Sequence, residues 1–394
     1  MPPASTRRAV LLSSATFAVL GADMTVPGTL LPLLLQQFGL RLVEAGSMLA
    51  LQPVGYLVSV IVTGWLLGRY GMRAVLTVGM SASAVGLAGF AMTSGWVGGA
   101  AMLLIIGVGY GVLEVGANAL LITAGGERRN NLLNFAHLFF GVGSFITPWL
   151  TAQAVGAGVS WRVVFLLAAL VTGVVAVGWS TLTVDTEAAA APTSGARPQL
   201  SPVAWLCAVM LALYVGTETG IGAWLTKYMV SVRGATLGYA GGVLSLYWFG
   251  LAAGRLALSA TSHHSSEERW LVGLTLVATV ACVAALLGGA WGAAVAFSLT
   301  GVGFSGIFPA VIALGGRAHP HATARVTSVM IGGAGIGGII IPWTMSAIAD
   351  AAGLVAGMAF YAGMCAAMVG LAAALQWVLS TGEVRALPRD SYGS

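Results

Sequence analysis

The chain has 394 residues, of which 58% are hydrophobic and only 7% charged, with a formal net charge of +5. A soluble domain carries about 25% charged residues, so a soluble enzyme with a single anchor is excluded. Basic residues stand singly or in pairs at the ends of apolar runs, with no basic patch interleaved with aromatics, which argues against nucleic acid as a partner.

Apolar runs predict twelve helices, at 9–36, 43–67, 73–94, 97–124, 131–155, 161–183, 203–231, 237–260, 269–288, 291–315, 322–349 and 354–380. About 20 residues at 1.5 Å rise cross the ~30 Å hydrocarbon layer, so nearly the whole chain is spent on spans. Arg7 and Arg8 ahead of the first run mimic a secretory leader. The run continues past Asp23 to Gln36, too long for a leader, and reads as an uncleaved span. The longest polar stretch lies between the sixth and seventh helices. It divides the chain into an N-terminal six-helix bundle (1–184), a cytoplasmic linker (185–202) and a C-terminal six-helix bundle with a short tail (203–394). Cys207, Cys282 and Cys365 lie far apart inside apolar runs, without metal-ligand spacing, and read as packing residues. With both termini on the cytoplasmic side, thirteen basic residues fall inside and four outside, as the positive-inside rule requires.

Twelve acids occur, and nine sit in loops, at helix ends or in tails. Asp23, Glu114 and Glu218 remain well inside spans, with no basic residue expected at comparable depth: Lys227 is near one end of the seventh helix and Arg255 in the inner part of the eighth. A carboxylate at mid-bilayer costs roughly 2.5–3.5 kcal/mol on insertion scales, so a chain retains one where it faces water and has a task. Such a group is suited to taking up and releasing a proton, or to holding Na⁺. The plain alternative is a protonated, hydrogen-bonded structural acid. In the fourth helix, Tyr110, Glu114 and Asn118 are spaced i, i+4, i+8 and share one face.

An internal repeat runs through the chain. GVGYG at 107–111 matches GVGFSG at 301–306, and VGSFITPW at 142–149 matches IGGIIIPW at 336–343, both displaced by 194. Gly55 pairs with Gly250 at 195, and Asp23 falls opposite Thr217 or Glu218. One displacement at four places marks two six-helix halves in parallel orientation. Glu114 has Phe308 as its counterpart, so this acid breaks the symmetry. Between the second and third helices stands Gly64-x3-Gly68-Arg69-Tyr70-Gly71-Met72-Arg73. On these features the chain resembles the major facilitator superfamily over its whole length. The resemblance implies an all-α fold of twelve spans in two six-helix bundles, and a gating loop at Gly64, Arg69, Gly71 and Arg73. Gly68 stands where the family has an acid. It also implies that the first, fourth and seventh helices line a central cavity, where all three buried acids would lie.

In the fifth helix, Asn130, Asn134, His137, Gly141 and Ser144 form a polar stripe. Asn134 and His137 offer the donors and acceptors that hydroxyl-rich ligands need; interhelical hydrogen bonding is the alternative. In the seventh helix, Trp224 and Tyr228 fit an interfacial belt or a stacking platform for a sugar ring, as does Tyr247 in the eighth. Trp149 and Trp343 occupy equivalent repeat positions and read as shared scaffold. Gly-rich GGAGIGG at 332–338 lies in an apolar span and reads as close helix packing rather than a phosphate loop.

Asp23, Glu114, Asn134, and Glu218 with Trp224-Leu225 and Tyr228 together resemble the fucose/glucose–proton symporter branch. That resemblance implies that Glu114 binds both sugar and proton and that Asp23 carries the coupling proton. The expected function is proton-coupled symport of a small hydroxylated solute, a monosaccharide, by alternating access, with Na⁺ as an alternative ion. The expected setting is a monomer in a bacterial inner membrane, without cofactor or metal. The competing expectation is a proton-driven efflux antiporter for apolar or cationic compounds, which buried acids would also suit. Efflux relatives usually carry an Arg in the fourth helix, where this chain has Glu114.

Overall fold

The computed structural model describes residues 4–126, 129–182, 201–261, 267–319 and 322–381. Its helices are α1 (Ala4–Phe38), α2 (Leu42–Met92), α3 (Trp96–Gly125), α4 (Arg129–Gly156), α5 (Trp161–Ser180) and α6 (Pro202–Arg233). They continue with α7 (Leu237–Thr261), α8 (Glu267–Leu287), α9 (Ala290–Phe304), α10 (Ile307–Ala318), α11 (Thr323–Ala352) and α12 (Leu354–Thr381). Among the described residues no strand occurs. Eleven segments are long and apolar enough to cross a membrane, with α9 and α10 counted as one, against the twelve expected.

Two departures from the predicted helices have local causes. The 51 residues of α2 cover both the second and third predicted helices. Gly71 separates the two limbs with φ 78° and ψ 161°, a backbone conformation that glycine adopts without steric cost. The tenth predicted helix is broken at Ser305 and Gly306. Pro309 has no N–H to offer the Ser305 carbonyl four residues earlier, so the ladder opens there.

The repeated GVG motif explains why the helices lie so close. Gly107 and Gly111 face the first limb of α2: a Cβ on Gly107 would fall on the Gln52 carbonyl, and one on Gly111 on Ser59 Oγ and the Tyr56 carbonyl. Gly109 faces the second limb, against the Gly79 carbonyl and Ser83. The equivalent Gly301 meets the Tyr247 carbonyl of α7, and Gly303 meets Ala278 of α8. Backbone-to-backbone approach through small residues is how apolar helices associate where burial from water gives no drive.

Buried apolar side chains form two clusters. One gathers residues from Ala9 to Leu182. The other gathers Val203 to Leu375 together with Leu31, Leu35 and Ala45. The linker expected at 185–202 and the tail beyond Thr381 lie almost wholly outside the described residues.

Contacts between the clusters crowd toward the end that carries the α1–α2, α6–α7 and α11–α12 turns. Arg41 pairs with Asp350, and the Leu42 N–H donates to the same carboxylate at 3.2 Å. The Trp343 indole donates to Ser47 Oγ at 3.1 Å, and the Trp149 N–H to Ser245 Oγ at 3.0 Å. The two equivalent tryptophans thus sit at equivalent inter-cluster seams. Gly28 of α1 abuts the backbone of Gly222 and Ala223 in α6. Toward the opposite end, Gly64 and Gly68 face open space, and Asn134 and His137 are exposed. Among the described residues the molecule is closed at the first end and open at the second.

Asp350 pushes the Arg41 guanidinium further above its ordinary pKa, through the hydrogen bond first and charge second. Asp350→Ala is expected to loosen this end by less than about tenfold, because an exposed pair is weak and salt-screened. Spin-label distances between Gln37 and Ala351, both exposed at this end, would report it. A larger effect in low salt is the expected signature.

Candidate functional site

On the wall formed by residues before 183, α3 presents Tyr110, Glu114 and Asn118, and each meets a different neighbour. Tyr110 is buried within charge range of Asp23, and its hydroxyl finds no hydrogen-bond partner among the described residues. Glu114 is half-buried and lies close to Tyr56 in the first limb of α2. Asn118 Oδ1 contacts His137 Nε2 of α4 at 3.1 Å, and the His137 ring lies 4.3 Å from Phe17. Asn134, one turn before His137, is exposed on the open side. The side chain of Asn130, the first of the predicted stripe, lies outside the described residues.

Asp23 is only 3% exposed and accepts a hydrogen bond from Thr172 Oγ1 of α5 at 2.9 Å. Among the described residues, no basic group lies within ion-pair distance of Asp23 or Glu114. Tyr56 and Thr172 are missed by sequence reasoning. Each is a lone polar side chain in an apolar run, and nothing in its spacing tells a partner from a filler.

The opposite wall corrects one expectation. Arg255 Nη2 stands 3.8 Å from Glu218 Oε1 and 3.5 Å from Tyr214 Oη, so a cation does reach the depth of this acid. The Arg255 Nε donates to the Ser305 carbonyl at 3.4 Å, the carbonyl that Pro309 leaves free. The break between α9 and α10 thus draws the guanidinium inward. Glu218 is buried, and its carbonyl accepts from Tyr247 Oη at 2.9 Å.

The aromatic platform is corrected as well. Trp224, Tyr228 and Tyr247 are each 0% exposed, which removes Trp224 and Tyr228 from an interfacial belt and all three from a cavity surface in this conformation. Tyr228 packs edge-on against Phe297, with Arg233 over its ring at 5.3 Å. In the gating loop, Gly64 is unpacked and Gly71 makes the turn. Arg69 lies 5.7 Å from the rings of Trp65 and Tyr70, and Arg73 is exposed. With Gly68 in place of an acid, Arg69 is held by aromatic faces.

The site therefore combines two carboxylates without cations, one carboxylate beside an arginine, and a group of neutral hydrogen-bonding side chains on an open face. The sequence profile of the Major Facilitator Superfamily matches residues 12–342. The chain is 23% identical to the glucose/mannose transporter GlcP of Bacillus subtilis (strain 168), over 93% of this chain and 94% of that one. Its fold overlays a D-xylose-proton symporter with TM-score 0.76 at 15% identity, covering 94% and 97% of the two chains. It overlays FucP in the outward conformation with TM-score 0.63 at 21% identity, covering 94% and 99%. These overlays speak to the fold, and the sugar-transporting relative accords with the branch that the site residues resemble. The chain belongs to the Major Facilitator Superfamily and is a multi-pass membrane transporter.

Proposed function

We propose that this transporter is a proton-coupled symporter for a small hydroxylated solute, working by alternating access between its two bundles, 1–184 and 203–394. The observation that carries the reading is Glu114. It is half-buried, with Tyr56 close by and, among the described residues, no cation within ion-pair distance. A carboxylate so placed can bind a proton and a solute hydroxyl at one point. One proton is shared between Glu114 and the enclosed Asp23; Tyr110 stands one helical turn from Glu114 and feels the charge of Asp23. Asn118, His137 and Asn134 supply neutral donors and acceptors for hydroxyl groups. The sugar-transporting relative supports the solute class.

The arginine distribution supports an orientation with both termini in the cytoplasm of a bacterial inner membrane. The closed end is then outside and the open end inside. On this reading one chain supplies both bundles and the whole of the proposed site, and the protein works as a monomer.

One coupled proton supplies about 1.4 kcal/mol per unit of pH gradient, or roughly tenfold accumulation. Proteoliposomes given an inward proton gradient test the direction. Labelled sugar accumulates if the reading holds. Export of a preloaded cationic or apolar compound under the same gradient would replace it with antiport. Asp23→Asn is expected to retain solute exchange while losing its pH dependence. Equal loss of exchange would reassign Asp23 to structure, as the partner of Thr172.

A further inference from the structure

Arg255 is the charged side chain that the symport reading leaves unused. A basic residue inside a span costs roughly 2.5–3.5 kcal/mol on insertion scales, so its presence calls for a task. Its three contacts are all long: 3.4 Å to the Ser305 carbonyl, 3.5 Å to Tyr214 and 3.8 Å to Glu218. A good N–H···O bond spans about 2.7–3.2 Å. Its side chain is 42% exposed, against 11% for Glu218. Among the described residues, Nη1 has no partner. Its charge is felt at His137 of α4, which is joined to Asn118. The guanidinium is thus anchored through Nε, loosely balanced by Glu218, and part-exposed with donors to spare.

We infer that the solute carries a carboxylate as well as hydroxyls, an aldonate or uronate type of acid, and that Arg255 receives that carboxylate. The guanidinium fork matches a carboxylate in shape and charge. Asn118, His137 and Glu114 then face the hydroxyl-bearing end. A phosphorylated solute fits poorly, because its second negative charge would meet Glu114 and Glu218 with one arginine to answer both. The inference rests on the proton-symport reading and gives it a consequence. One proton entering with one carboxylate leaves the net charge of the site the same when loaded and when empty. Uptake therefore moves no net charge, and a pH gradient drives it while membrane potential does not.

The test uses the purified full chain in proteoliposomes, with labelled D-gluconate, D-glucuronate and D-glucose. The expected result is uptake of at least one acid under an inward proton gradient, unchanged by an imposed potential of about 100 mV, worth 2.3 kcal/mol to a charged step. Arg255→Lys keeps a charge and is expected to raise the acid's KM about 10- to 100-fold, the equivalent of a charge-assisted hydrogen bond. Arg255→Gln is expected to abolish acid uptake. Thermal unfolding of both variants, with and without gluconate, separates lost binding from lost folding: the folded variants keep the ligand-free midpoint and lose the ligand-induced shift. Potential-driven accumulation of glucose, with neither acid carried nor competing, would overturn the inference and leave proton symport standing. If no probe responds to either gradient, both fall.

Discussion

Glu114→Gln is expected to abolish accumulation against a gradient while leaving the protein folded. Glutamine keeps the volume and one carbonyl acceptor of the acid, and its amide can still meet Tyr56. What it removes is the group that takes up and releases a proton. The roughly tenfold concentration ratio that one coupled proton supplies per unit of pH gradient should fall to unity. Downhill flux should persist wherever the solute still binds. Uphill uptake in proteoliposomes, measured beside counterflow exchange, separates the two. Uptake unchanged in the variant would take Glu114 out of the mechanism. Tyr56→Phe deletes the hydroxyl beside Glu114 without touching the carboxyl, so its effect should be smaller and fall on pH dependence rather than on the existence of coupling.

How far the sequence foretells this site varies from residue to residue. Glu114 is plain in it, because a carboxylate in the middle of an apolar run has few reasons to be there. The GVG repeats are plain too, and the structure gives their cause: each glycine lets a neighbouring backbone come where a Cβ would stand. Arg255 is visible as a residue, but its meaning is not. Its pairing depends on how α6 and α7 cross, and on a carbonyl freed by Pro309 in a third helix. Three separations in sequence must be known together before that pairing can be drawn. The aromatics of α6 fail for a different reason. Trp224 and Tyr228 have the composition of a membrane interface and of a sugar platform alike, and spacing along a helix gives no signal that both are buried. Tyr56 and Thr172 are single polar side chains in apolar runs. Their role is assigned by the acid opposite, which lies 58 residues away for Tyr56 and 149 for Thr172.

Gly28→Val is the second substitution expected to have a large effect, and its action is conformational rather than chemical. A Cβ on Gly28 would stand 2.7 Å from the Gly222 carbonyl oxygen and 2.9 Å from Ala223 Cα. Both are backbone atoms and cannot swing aside as a side chain would. The contact joins the two clusters across the closed end, so the clash is relieved when α1 and α6 part and returns when they meet. Overpacking of this kind costs about 1–3 kcal/mol, a bias of roughly 5- to 150-fold between two conformations. The variant should therefore rest with this end open. Labels at Gln37 and Ala351 should move apart, and turnover should fall because every cycle must close this end once. Gly363→Val is the matched control, since Gly363 has no neighbour within 4 Å, and it should transport normally. A Gly28→Val protein with unchanged label distances and normal turnover would mean that the α1–α6 approach is not part of closure. The alternating-access cycle would then have to turn on the α2–α11 and α4–α7 seams alone.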